Sequence, residues 1–248
     1  MRRFFVAPGV LARDAVVLDA ALSHRLAKVL RLRAGAEVAL FDGTGAEARV
    51  RLDAVSDRAL GASIVERYAS PAEPRVKVHL YQSITKGERF EWLLEKATEL
   101  GVARIVPLLT ARAVVKTAGA GDRAGRWRRI TIEAAEQCGR GAVPAVAAPE
   151  RFAAALASAP GLRLIPFESA PPAAPAIQAV IDREVDAVFA LGEISVFIGP
   201  EGGFEDAEIA SAGAAGAHVV TIGDRVLRSE TAGLVALTLV MHAVGELG

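Results

Sequence analysis

Carboxylates, guanidiniums and glycines gather in one stretch of this sequence, Val196 to Thr231. It reads as a short apolar strand, the loop Gly199-Pro200-Glu201-Gly202-Gly203, an acidic helix start at Glu205, Asp206 and Glu208, and a second strand. A second loop, Gly223-Asp224-Arg225-Val226-Leu227-Arg228, then runs into Ser229-Glu230-Thr231. Open α/β sheets bind ligands outside the carboxyl ends of their strands, and glycine lets backbone approach a ligand with no Cβ in the way. Gly199, Gly202 and Gly223 are the positions expected to need that freedom. The loop is not a nucleotide phosphate cradle, because no Lys follows the glycines. Glu201 lies inside it and the helix start is already complemented by carboxylates, so a polyphosphate would be repelled. A neutral or cationic ligand, such as a sulfonium, would not be. A plain strand-to-helix turn with acids at its helix start is the alternative reading of the same residues.

Other groups able to do chemistry are scattered. His24, His79, His218 and His242 show no metal-ligand spacing, so no metal is expected. The single cysteine, Cys138, has no His near it in sequence and lies on the apolar side of a predicted helix, which makes it a small buried hydrophobe rather than a nucleophile. Arg140 follows a glycine that can end that helix. Its guanidinium is a candidate to hold a phosphate or a carbonyl by a charge-assisted hydrogen bond.

The elements that must position these groups follow from pattern. Arg2 to Val6 reads as an edge strand, and Ser23 as the N-cap of a helix from His24 to Leu30 with Leu26, Val29 and Leu30 inward and Arg25, Lys28 and Arg31 outward. Strand-like runs at Glu37 to Phe41, Ala46 to Val55 and Ala62 to Arg67, with turns at Asp42 to Gly45 and Ser56 to Arg58, predict a small barrel. Ser70 to Pro74 is a proline-stiffened linker that sets a boundary near residue 72. Beyond it, a strand at Val76 to Gln82, an amphipathic helix from Glu88 to Leu100 stopped by Gly101, and a strand at Val102 to Leu109 predict an α/β domain with a mainly parallel sheet. A loop at Gly119 to Gly121 precedes a helix from about Asp122 to Cys138 that buries Trp127, Ile130, Ala134 and Cys138. Arg126 and Arg129, with Arg112, Lys116, Arg123 and Arg128, line its exposed side as candidate nucleic-acid contacts, unless that side is an ordinary charged face. Val143 to Leu162 supplies a strand and a helix, Leu162 to Phe167 is a core strand, and Ser169 to Pro175 is a surface loop. The last helix, capped by Ser229, is apolar almost all round, which suits burial by its own sheet and by a second subunit.

Net charge is zero over the whole chain, yet residues 1–140 carry 24 Lys+Arg against 16 Asp+Glu and residues 141–248 carry 5 against 13. The front half is positive by eight and the back half negative by eight, which suits phosphate backbone at the front and a cofactor at the back. The longest apolar run falls short of the roughly 20 residues of a membrane span, and the N-terminus lacks a signal-peptide pattern, so a cytoplasmic protein without a membrane partner is expected. One cysteine admits no intramolecular disulfide.

Five ordered blocks resemble one family. IGPEGGFEDAEI (Ile198 to Ile209) and IGDRVLRSETA (Ile222 to Ala232) look like the two signature loops of the bacterial 16S rRNA uridine-N3 methyltransferases, the RsmE family of the SPOUT class. KGERFEWLLEKATELGV (Lys86 to Val102), EAAEQCGR (Glu133 to Arg140), and the opening MRRFFV with HRLAKVLRLRAG (His24 to Gly35) are similar to further family segments. The resemblance implies a PUA-like RNA-binding barrel over residues 1–72 and a SPOUT methyltransferase domain over residues 73–248, with a C-terminal trefoil knot, a rare exception to unknotted topology, and a homodimer packed across it. It implies S-adenosyl-L-methionine as cofactor, held by Ile198, Gly199, Pro200, Glu201, Gly202 and Gly203 and by Ile222, Gly223, Val226, Leu227 and Arg228. Phe167 and Glu168 form the third cofactor loop on the same ground. Arg25, Lys28, Arg31 and Arg33 become candidates for phosphate contact with 16S rRNA in the 30S subunit. Where the family often carries an acid, this chain has Ala111, so no role of that acid transfers.

Methyl transfer to N3 requires the weakly acidic imide to lose its proton. Glu201 or Glu230 is the candidate proton acceptor, and Arg228 or Arg140 the candidate to stabilise charge on the uracil oxygens. Glu230 could instead complement its helix dipole, with Arg228 as its ion-pair partner. The rival reading is a non-catalytic, dimeric RNA-binding protein, which explains the basic front half but not two open glycine loops. A phosphate-ester enzyme is disfavoured by the acidic loops.

Overall fold

The computed structural model describes residues 1–54, 59–113 and 120–248, with the side chains of residue 54 and residues 120–122 outside the description. The predicted turn at Ser56 to Arg58, together with Val55, Lys116 and Gly119, lies outside the described residues. Contacts divide the chain into two units, Met1–Glu73 with Ile132–Val143, and Pro74–Thr131 with Pro144–Gly248.

In the first unit, β1 (Arg3–Phe5), β2 (Ala15–Leu18), α1 (Ala20–His24), β3 (Glu37–Phe41), β4 (Ala46–Ala54) and β5 (Leu60–Ala69) follow in order. The strands form one sheet, ordered β1-β3-β4-β5-β2. Only β1 and β3 pair in parallel, and the sheet is an open half-barrel. Period-two alternation along β2, with Val16 and Leu18 buried and Ala15 and Val17 outward, turns one face toward a core that includes Phe4, Leu26, Leu40 and Val50.

The predicted cap is corrected here. Asp19, not Ser23, caps the helix, accepting a 2.8 Å bond from Leu22 N–H, and the helix starts at Ala20. Ser23 is buried and accepts instead from Leu60 N–H at 3.1 Å, a tie across 37 residues that local pattern does not reveal. A π-helical turn, Arg25–Val29, follows α1. Its wider winding breaks the 3.6-residue phase, so Val29, expected inward, is exposed.

The second unit continues with β6 (Lys77–Ser83), α2 (Arg89–Glu99), β7 (Arg104–Leu109), α3 (Ala120–Cys138), β8 (Ala145–Val146), β9 (Glu150–Arg151), α4 (Phe152–Ser158) and β10 (Leu162–Pro166). Then come α5 (Ile177–Arg183), α6 (Val185–Leu191), β11 (Glu193–Ile198), α7 (Asp206–Ala214), β12 (His218–Val220) and α8 (Ser229–Ala243). Residues of α3 from Ile132 onward group with the first unit. Ala120 and Gly121 are helical, not part of a loop as predicted, and α5 and α6 were not anticipated from pattern.

All paired strands of this unit are parallel, ordered β12-β10-β11-β6-β7-β8 with β9 beside β7. Both faces are covered, which is why β6 and β11 read as nearly continuous apolar runs. Val78, Leu80, Val196 and Ile198 meet Phe90, Leu93 and Leu94 of α2 and Leu237, Val240 and Met241 of α8 in one core. Tyr81 and Phe197 share the other core with Phe152 and Phe204, their rings stacked at 4.4 Å. Gly101, at φ +91°, stops α2 as predicted. The buried side of α8 is Gly233, Ala236, Leu237, Val240 and Met241, while Thr231, Thr238, Leu239 and His242 are exposed, so within one chain the helix is buried on one side only. Among the described residues, no helix is long and apolar enough to cross a membrane.

Candidate active site at the carboxyl ends of the parallel strands

Register positions the site. Ile198 and Gln82 are paired residues of β11 and β6, so the loop opening at Gly199 leaves the sheet beside Gln82. Ser229, expected as a helix cap, does something else. Arg228 is the extended residue before α8, and the Ser229 hydroxyl donates to the Gly199 carbonyl at 2.5 Å. That hydroxyl accepts from Gln82 Nε2 at 2.9 Å. Gln82 is fully buried, and a Cβ at Gly233 would collide with its amide oxygen, so the first turn of α8 rests directly on the end of β6. The two signature loops are thereby joined through one serine.

The first loop is held from several sides. Gly203 has φ +69° and donates to Pro200 O at 2.9 Å, and a Cβ there would collide with the Glu168 carboxylate. Glu168, expected in the third cofactor loop, is therefore in direct apposition to the glycine loop. Phe167 precedes it, half-buried, at the end of β10. A Cβ at Gly199 would press on the Phe204 ring at 3.1 Å. Gly202 differs from expectation: its φ is not positive, and a Cβ would make ordinary contact with Arg112 at 3.5 Å. Arg112, expected on a nucleic-acid face, donates to Gly202 O at 2.9 Å and lies 4.0 Å from Glu205. Glu205 and Glu208 form a capping box, and Glu208 also accepts from Ala111 N–H at 3.0 Å. Arg112 and Gln82 are the residues that sequence reasoning missed. A polar residue inside an apolar strand was the only available signal for Gln82.

In the second loop Gly223 has φ +117° and donates to Thr221 Oγ1 at 3.1 Å. Val226 is exposed and Ile222 and Leu227 half-buried. The Arg228 guanidinium is exposed, and the predicted pairing with Glu230 is absent. Glu230 is 6% exposed, and its Oε1 lies 3.7 Å from Arg89 Nε. Its other oxygen is buried without a hydrogen-bond partner, as are Ser83 Oγ, Thr85 Oγ1 and Thr110 Oγ1 near the ends of β6 and β7. Glu201 is exposed.

The candidate RNA contacts fall in different places. Arg25, Lys28, Arg31 and Arg33 of the first unit are exposed, and Arg31 adopts φ +53°, a left-handed conformation uncommon outside glycine. Arg126 pairs with Glu91 at 2.5 Å on the second unit, where Arg129 is exposed. Arg140 is corrected: it is 4% exposed, and Glu73 binds its guanidinium at 2.9 Å while also accepting from Ala142 N–H. The pair, with Arg140 buried and Glu73 half-buried, fastens the linker and leaves the Arg140 guanidinium little exposure. Cys138 is half-buried, its thiol 3.9 Å from Ala135 O.

A parallel sheet with joined glycine loops at its carboxyl edge in one unit, and a half-barrel sheet in the other, define a class. Residues 72–241 match the family model of the RNA methyltransferase domain, and residues 18–64 match that of the RNA methyltransferase PUA domain. Ribosomal RNA small subunit methyltransferase E of Synechocystis sp. is 35% identical over 95% of this chain and 75% of its own length. The protein of that name from Mycobacterium bovis is 34% identical over 89% of this chain and 84% of its own. The crystal structure of the Neisseria gonorrhoeae ribosomal RNA small subunit methyltransferase E bound to S-adenosyl methionine has a TM-score of 0.82 at 31% identity, covering 98% of this chain and 97% of that one. The chain belongs to the ribosomal RNA small subunit methyltransferase E family.

Proposed function

We propose that this chain is an S-adenosylmethionine-dependent methyltransferase that modifies N3 of one uridine in 16S rRNA of the small ribosomal subunit. The observation that carries the reading is the Gln82–Ser229–Gly199 tie, which brings two glycine loops to one place at the carboxyl edge of the sheet. The residues fit the cofactor. Gly223, exposed at φ +117°, leaves backbone accessible, Glu168 lies against the buried Gly203, and partnerless buried oxygens border the strand ends. Buried polar groups ordinarily find partners, and a polar cofactor could supply them here. Backbone groups of Ile198 to Gly203 and of Ile222 to Arg228, with Phe167 and Glu168, would hold the cofactor, which supplies an electrophilic methyl group.

Glu230 is the better proton acceptor of the two candidates. Its carboxylate is enclosed, faces Arg89 and keeps one oxygen free, whereas Glu201 is exposed. The N3 proton passes to that oxygen, and the electron pair left on N3 is the nucleophile. Arg228, unpaired with Glu230 and exposed, is free to stabilise charge on the uracil oxygens. Residues 1–72 serve RNA binding and residues 73–248 the transfer. A SPOUT-type trefoil knot and a homodimer are part of the reading, supported by the insertion of β11 between β6 and β10, by the packing of α8 against both β6 and β11, and by exposed Leu239 on its outer side. The substrate is the RNA within the 30S subunit, in the cytoplasm.

The test is transfer of labelled methyl groups to 30S subunits from cells lacking the modification. Label in the 16S rRNA is expected. Folded protein that binds RNA without incorporating label would leave the non-catalytic reading.

A further inference from the structure

A cavity of about 650 Å³ lies wholly within the first unit, between β1, the helical segment carrying Arg25, and the last turns of α3. Its size suits a small planar ligand. The family resemblance implies a phosphate contact for Arg25, and its surroundings favour another role. The Arg25 guanidinium carbon stands 5.2 Å above the Phe4 ring centroid, a cation–π contact that fixes one face of the group. Glu136 accepts from its Nη1 at 2.9 Å and fixes its edge. Glu136 is itself anchored, since its other oxygen accepts from Phe5 N–H at 3.0 Å. The side chain remains half exposed and lines the cavity, held on one face by Phe4 and at one edge by Glu136.

Charge decides what that plane would take. Three guanidiniums line the cavity, but Arg25 is neutralised by Glu136 and Arg3 by the buried Glu47, which it grips at 2.6 and 2.8 Å. Arg2 and Glu133 also line it, and the side chains of Glu133 and Gln137 have no hydrogen bond or ion pair among the described residues. The lining is thus nearly neutral, a poor trap for phosphate. It offers a stacking plane beside one free carboxylate and one free amide, the groups that read a nucleobase edge. Unpaired RNA bases are recognised by stacking on guanidinium planes and by hydrogen bonds to their edges.

We infer that this cavity receives one unstacked nucleobase of the substrate RNA, stacked on Arg25, with Glu133 and Gln137 bonding its edge. The inference rests on the RNA-modifying reading above and changes Arg25 from a phosphate contact into a base platform. Lys keeps the charge but not the plane, so binding to small-subunit rRNA across a salt series separates the two roles. Arg25→Lys and Arg25→Ala should both weaken binding by about tenfold or more, the scale of one stacked base, with the salt slope unchanged. Near-wild-type affinity of Arg25→Lys, together with a slope shallower by about 0.7 to 0.9 in Arg25→Ala, would make Arg25 a phosphate contact and overturn the inference. Unchanged binding in both would overturn it too. A second measurement needs no variant. In the wild-type protein at high salt, adenosine 5′-monophosphate should shift the Arg25 Nε–H resonance and ribose 5-phosphate should not; an equal response to both contradicts a base platform. If wild-type protein fails to bind the rRNA, the proposed function fails, and the nucleotide titration still decides this site.

Discussion

The hydroxyl of Ser229 donates to the carbonyl of Gly199 at 2.5 Å across 30 residues of sequence, and the buried amide of Gln82 completes the contact. Replacing Ser229 by Ala removes a donor from the half-buried Gly199 carbonyl and the shortest acceptor from the buried Gln82 amide, a cost of about 1–3 kcal/mol. Ser229→Ala should lower the urea midpoint accordingly and weaken cofactor binding in calorimetry. Unaltered affinity would mean that the loops hold their places without this tie.

The glycines of the first loop should respond unequally. Gly203→Ala places a Cβ against the Glu168 carboxylate at a φ of +69°, and cofactor binding should be lost. Gly202→Ala meets only ordinary contact with Arg112, and binding should persist. Calorimetry on the pair checks this, and equal losses would show that backbone approach at Gly202 also matters.

Arg228 and Glu230 should separate by turnover. Glu230→Gln removes the proposed proton acceptor and should slow methyl transfer by about 100-fold or more with cofactor affinity held. Arg228→Lys cannot reproduce the planar fork and should raise the barrier by about 2.7–4 kcal/mol, the scale of a lost oxyanion donor, with little effect on stability because it makes no ion pair with Glu230. Single-turnover rates and melting curves of both variants test the assignment; wild-type turnover in Glu230→Gln would pass the proton to solvent.

His79 gives a pH signature of the fold. Burial lowers its pKa from the ordinary 6.5, partly opposed by Glu193 at 3.3 Å and reinforced by Arg104 and Lys77. Stability tied to the neutral ring is complete above the unfolded value and is lost as pH falls through the lowered folded value. Urea midpoints should therefore decline as pH drops below about 6.5, before the carboxylates titrate, and His79→Gln should flatten that decline. Parallel curves for the two proteins would contradict it.

Local pattern made much of this legible. The stripe Phe90, Leu93, Leu94, Ala97 marks α2, and glycines after apolar strands mark both loops, because periodicity and backbone freedom act over a few residues. What stayed hidden depends on partners far along the chain. Glu73 takes Arg140 across 67 residues, and Arg112 reaches Gly202 across 90, so two basic residues that looked alike in sequence have distant partners within the fold. The π turn that exposes Val29 has no local signature, and Asp19 outcompetes Ser23 as a cap because Ser23 is drawn into the core by Leu60.

The most direct test of the account is nucleoside mass spectrometry of 16S rRNA from unmodified 30S subunits incubated with the protein and S-adenosylmethionine. The account predicts 3-methyluridine, formed only when both protein and cofactor are present. A methyl group on another atom or base, or none at all from protein that binds the cofactor, would contradict it.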